Sequence, residues 1–232
     1  MRKKLHIILI ATVLLAAFAA CGNAKDSENT EAQDNTVQVS ETVEPTQKPK
    51  RTPPPKATPS PTPRPQEVLI YAYEDLGNGD YIPFYLNNNA SRFLTAHGDI
   101  FPMLEADNDM TIQESWVDDN FDSREMKKNP SKFGSKLVYL KNVYLNEIYE
   151  GIWTDNLRKY GWTRQTYLTE LYVIDQNDQY YYVLYLGKPL DGVLMGDQVD
   201  VYGLPLDTGF YDNVSGGRTN VIILAGAKII KQ

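Results

Sequence analysis

The chain has 232 residues, with 23 Lys and Arg against 30 Asp and Glu, a net charge of -7, and one cysteine, Cys21. The charge is uneven, because residues 22–66 carry six acids and six bases while residues 67–232 carry 24 acids and 14 bases, a net -10. That balance argues against nucleic acid as a partner, since phosphate binding draws its affinity from clustered Lys and Arg, and the absence of cysteine after Cys21 excludes disulfides, Cys-ligated zinc and thiol nucleophiles from the rest of the chain.

The first element in chain order is a basic start, MRKK, followed by LHIILIATVLLAAFAA, a run of 16 residues that ends in small side chains. It is shorter than the roughly 20 apolar residues a permanent span needs, and polar GNAKDSEN follows it, so residues 1–20 read as an export signal. The run closes with Phe18-Ala19-Ala20-Cys21, which resembles the lipobox of bacterial lipoproteins, with Phe18 where leucine is usual. The resemblance implies cleavage before Cys21, attachment of a diacylglycerol to its sulfur, and a protein lipid-anchored at the extracytoplasmic face of the cell membrane. Two or three acyl chains anchor far more firmly than one, each buried methylene adding about 0.8 kcal/mol.

Residues 21–66 then form the lipidated cysteine and a linker. KDSENTEAQDNTVQVSETVE is acidic and polar, and PTQKPKRTPPPKATPSPTPRPQ is basic and proline-rich. Neither part has enough apolar surface to fold alone, so the first predicts a coil and the second a polyproline II spacer rising about 3.1 Å per residue.

All 16 tyrosines and all three tryptophans lie beyond residue 66, enough for the core of one domain. Residues 67–124 are expected to form a small α/β N-terminal cap. EVLIYAYEDLGNGDYIPFYL predicts a strand, a Gly-Asn-Gly turn and a second strand. NNNASRFLTAHGDIFPML predicts a helix capped by Asn88 or Asn89 and stopped at Pro102. His97, the domain's only histidine, falls on the face of that helix with Phe93 and Leu94 and reads as a packed or surface residue. Residues 125–232 alternate strongly. SKLVYLKNVYLNEIYEG reads as one bent strand, LTELYVIDQNDQYYYVLYLG as a hairpin turning at Gln176 to Gln179, GDQVDVYGLPLDTG as a fourth strand and TNVIILAGAKIIKQ as a fifth, with PLDGVLM a turn or short helix between the third and fourth.

Five strands in this order, with Gly196-Asp197-Gln198-Val199-Asp200-Val201-Tyr202-Gly203 opening the fourth, resemble an OB-fold. The lead-in Asn129-Pro130-Ser131-Lys132-Phe133-Gly134-Ser135-Lys136 is similar to the entry of the first strand in extracytoplasmic OB-like domains of bacterial lipoproteins, and Asn142 stands where many such strands carry a bending glycine. The fold class expected is therefore mainly β, a five-stranded OB-like barrel behind a small cap. The resemblance implies ligands on the face of strands 2 and 3 and on the loops joining strands 1 to 2 and 4 to 5.

The first of those loops, GIWTDNLRKYGWTRQTY, interleaves Trp153, Tyr160 and Trp162 with Arg158, Lys159 and Arg164 and carries a local charge of +2. The other, DTGFYDNVSGGRTN, adds Phe210, Tyr211 and Arg218. Aromatic faces stack on sugars or bases and Arg pairs with anions, so one expectation is a ligand cleft between the loops; the other is that Trp153 and Trp162 are core. Acidic pairs such as Asp118 and Asp119, or Asp107 and Asp109, could serve an envelope hydrolase or a metal-dependent enzyme, but adjacent turn acids lack the separation of glycosidase carboxylates and the pattern of a calcium loop. They read as solvated acids. No catalytic residue, metal site or cofactor is expected. The reading favoured is a non-catalytic, membrane-anchored binding module for cell-wall glycan or another envelope ligand; the third class is a structural lipoprotein that binds an envelope protein.

Overall fold

The computed structural model describes residues 63–79, 82–104, 111–213 and 216–232. The export signal, Cys21, most of the linker and the pair Asp107 and Asp109 lie outside the described residues. Among the described residues no helix is long and apolar enough to cross a membrane.

Five strands form the core of the molecule: β1 (Val138–Ile152), β2 (Tyr167–Ile174), β3 (Tyr180–Gly187), β4 (Gln198–Asp212) and β5 (Arg218–Lys231). They close as β1-β2-β3-β5-β4, with β3 and β5 parallel and every other pair antiparallel. This is the OB-like barrel. Strand alternation divides its side chains into two sets. Val138, Leu140, Val143 and Leu145 of β1, Leu171 and Val173 of β2, Tyr181, Val183 and Tyr185 of β3, Val199 and Val201 of β4, and Ile222 and Leu224 of β5 make one buried cluster, to which all five strands contribute. That cluster is the barrel interior. Met126 from α3 (Ser123–Lys128) and Val193 from the β3–β4 connection also join it.

The other set belongs to a second cluster on the outside of the barrel. Leu168, Tyr172, Tyr182, Leu184, Leu186, Val221, Ile223 and Ala225 pack there against α1 (Pro65–Gly77) and α2 (Asn88–His97). The strand expected over the start of residues 67–86 is α1, a correction with a local cause. Pro65 occupies the first helical turn, the Glu67 carboxylate accepts from the Arg64 backbone N–H at 2.9 Å, and Val68, Leu69, Ala72 and Tyr73 are buried at helical spacing. The rest of that stretch, through Leu86, runs without a strand among its described residues. The second helix is capped one residue before the expected position, by Asn87, whose side chain accepts from the backbone N–H groups of Asn89 and Ala90, both at 3.0 Å, and it ends at His97, where a 3-10 turn over Gly98–Ile100 follows, rather than at Pro102.

The cap and barrel approach each other closely. A Cβ on Gly187 of β3 would lie 2.6 Å from Pro102, and one on Gly209 of β4 would lie 2.6 Å from Ile82. Asn87 Nδ2 donates to the Leu206 carbonyl at 2.9 Å, and Asn89 Nδ2 to the Ser131 carbonyl at 3.1 Å. The lead-in to β1 serves the same junction. Asn129 closes α3, Phe133 packs edge-on against Phe121, and Gly134, at φ +91°, has backbone atoms of Ala90 and Pro205 2.9 Å from where a Cβ would stand. His97 is packed between Phe93 and Trp116, with ring centroids 4.8 and 5.1 Å away.

Candidate functional site

The cap covers the outer face of β2 and β3, the face on which the OB resemblance implies a ligand. The Tyr73 hydroxyl donates to the Leu184 carbonyl at 3.4 Å, and Tyr73, Leu69 and Phe101 are fully buried there.

The β1–β2 loop is part of this seal. Trp162 is only 6% exposed, and its Nε1 donates to Thr166 Oγ1 at 2.9 Å. Trp153 packs at the margin of the same core. Tyr160 stacks on Tyr71 of α1 with centroids 5.2 Å apart, and Lys159 Nζ lies 2.6 Å from Asp75 Oδ1. Arg164 lies over the Trp162 ring at 4.2 Å and donates to the Leu104 carbonyl at 3.4 Å. Arg158, paired with Asp155 at 3.2 Å, is exposed, as are Lys159 and Arg164. In the β4–β5 hairpin, Tyr211 packs edge-on against Tyr172 at 5.5 Å, while Arg218 covers the Phe210 ring at 4.3 Å and pairs with Asp212 at 3.5 Å. Phe210 lines a small groove with Lys127, Thr208, Gly209, Asn220 and Val221, to which no β1–β2 loop residue contributes. Of the residues expected to share a cleft, Trp153, Tyr160, Trp162 and Tyr211 thus pack against one apolar cluster, while Arg158, Arg164, Phe210 and Arg218 make the intramolecular contacts given above.

The larger groove, about 790 Å³, lies elsewhere. Its walls come from the 117–124 segment with Asp118, Asp119, Phe121, Asp122 and Arg124, from the start of β1 with Tyr139, Lys141 and Asn142, and from the β2–β3 turn with Asp175, Gln176 and Asn177. The volume is within the range of small-molecule sites. Sequence reasoning set Asp118 and Asp119 aside as turn acids and treated Asn142 only as a departure from glycine. What it missed is that three segments far apart in the chain converge here.

The groove is built around a bend. Asn142 has φ +50°, and the β1–β4 register shifts between Leu140 and Val143. Asn is among the few side chains that enter this left-handed region readily, so it replaces the expected glycine while keeping an amide. Behind it lies Asp200 of β4, 5% exposed. Asp200 Oδ1 accepts from the Asn142 backbone N–H at 2.8 Å, and Oδ2 accepts from the Tyr139 hydroxyl at 2.5 Å. That bond to the carboxylate pushes the Tyr139 hydroxyl up to about 12. The Tyr139 ring also stacks on Tyr202 with centroids 4.5 Å apart.

Several groove carboxylates already shape its walls. Asp118 Oδ1 accepts from the Asn120 N–H, Asp122 Oδ1 caps α3 through Arg124 and Glu125, and Asp175 Oδ1 accepts from Asn177 and Gln179. Among the described residues, no group of three or more His, Cys, Asp or Glu side chains is placed to hold a metal ion. Compared with known protein families, curated proteins and solved structures, the chain gives no match.

Proposed function

We propose that this protein is a membrane-anchored, extracytoplasmic binding module without catalytic activity, which presents its barrel to an envelope ligand at the end of a linker. The lipobox-like FAAC sequence and the polar, proline-rich stretch after it support the anchor and the spacing. The groove between the 117–124 segment, the β1 bend and the β2–β3 turn is the binding site in this reading. The observation that carries it is Asp200. A buried carboxylate is costly unless hydrogen-bonded, and this one fixes two groove residues, Tyr139 and Asn142. Such backing is what a pre-organised site requires.

The test separates anchor from site in cells. Cys21→Ala is expected to move the protein out of the membrane fraction or leave it as an uncleaved precursor, with the groove's affinity for isolated envelope unchanged. Asn142→Gly is expected to leave the protein in the membrane fraction and weaken that affinity. A Cys21→Ala protein that fractionates and migrates like the wild type refutes the anchor, and full-strength envelope binding by Asn142→Gly refutes the site.

A further inference from the structure

Resting on that reading of the groove, we propose that its ligand is a neutral glycan, read by the Tyr139 ring and the Asn142 side-chain amide, with Asp200 as the positioning residue behind both. The argument begins from hydrogen-bonding capacity. Among the described residues the Asn142 side-chain amide has no partner, and the groove adds two more amides, Gln176 and Asn177, beside carboxylates and the cations Arg124 and Lys141. Donors and acceptors therefore both line one open space. A sugar hydroxyl both donates and accepts, so it can use each kind of wall.

Other ligand classes fit less well. Four carboxylates against two cations repel a phosphate or other anion. A compact amine meets Lys141 and Arg124, and three of the four carboxylates are already engaged by backbone N–H groups. A purely apolar ligand would leave these polar walls unsatisfied. The half-exposed Tyr139 and Phe121 rings supply what a sugar ring needs besides hydrogen bonds, an apolar surface against its C–H face. Tyr139 is held for this role on both sides, by Tyr202 against its ring and by Asp200 at its hydroxyl.

The experiment is calorimetric titration of the full-length chain in detergent with a tetramer of N-acetylglucosamine, and separately with spermine. The wild type is expected to bind the tetramer and not spermine. Asn142→Gly removes the amide but allows the same backbone, because glycine accepts positive φ without strain. It is expected to lose about tenfold in affinity, the order of one hydrogen bond, with its unfolding midpoint kept or raised. Asp200→Asn is expected to return the Tyr139 hydroxyl toward its ordinary titration range and also to weaken tetramer binding, whereas a role confined to the barrel would move the titration and leave binding unchanged. Binding of spermine instead, weakened by Asn142→Gly, overturns the glycan assignment and leaves the groove standing. Tetramer binding that is insensitive to Asn142→Gly but weakened by Arg158→Ala overturns the groove. If neither probe binds, both readings fail.

Discussion

Trp162 shows how one side chain is assigned by its surroundings rather than by its type. Its ring is almost fully buried, its indole N–H is satisfied by Thr166, and Thr166 is in turn fixed by its backbone N–H donating to Thr154 Oγ1 at 2.9 Å. Trp162→Ala would remove the ring and leave the Thr166 hydroxyl without its donor. The expected cost is about 3–5 kcal/mol of folding stability, measured by denaturant unfolding, and a loss below about 1 kcal/mol would show that the ring is not core. In sequence, Trp162 is an aromatic among basic residues, and that pattern suits a stacking surface as well as it suits a core. The deciding partners, Leu104 beneath Arg164 and Tyr71 beneath Tyr160, come from the cap and lie about 60 and 90 positions away. Asn142 shows the opposite case, because its significance comes from a backbone angle and a buried carboxylate on another strand.

Among the elements, the strands were legible because their alternation spans most of their length. The expected hairpin turn at Gln176 to Gln179 falls between β2 and β3, and the Gly-Asp step before β4 also has a visible purpose: the Leu194 N–H and Lys231 Nζ both donate to Asp197 Oδ2 at 2.8 Å. Helix α1 was not legible. VLIYAY is rich in β-formers, and only its contact with the barrel's outer face makes the helical spacing of Val68, Leu69, Ala72 and Tyr73 the productive one. The contacts of α1 are unequal. Leu69→Ala is expected to cost about 2–5 kcal/mol, whereas Lys159→Ala, which breaks a pair with Asp75 whose lysine end is exposed to screening by solvent, is expected to cost far less. Equal costs in thermal or denaturant unfolding would contradict a cap held by apolar packing. That apolar attachment also argues against α1 opening as a lid, since exposing four buried side chains costs several kcal/mol at about 1.5–3 kcal/mol for each large one.

At the scale of the molecule, the tyrosines couple stability to alkaline pH. Burial pushes the Tyr185 hydroxyl up to about 12, Asp200 does the same for Tyr139, and burial raises Tyr73 and Tyr181 as well. In the unfolded chain these groups ionise near pH 10. Between pH 10 and about 12 the unfolded state therefore holds fewer protons than the folded state, so stability falls as pH rises through that window and is fully present below it. Urea midpoints are expected to be level from neutral pH to about 10 and to fall steeply above it. Tyr139→Phe is expected to make that fall shallower, and an unchanged slope would show that Asp200 does not hold the Tyr139 proton.

The strand order also fixes when the barrel can close. Strand β5 fills the place between β3 and β4, yet it is the last of the five along the chain, and its parallel pairing with β3 joins Tyr180 to Val221 and Leu184 to Ala225. A chain that emerges from its N-terminus can assemble β1, β2 and β3 as neighbouring antiparallel strands, but Val183 and Leu184, paired with β2 on one side, lack their β5 partners on the other until residues 218–231 arrive. Pairings this distant in sequence are slow to form. During synthesis, the tyrosine-rich β3 edge is thus the surface that needs shielding from other chains.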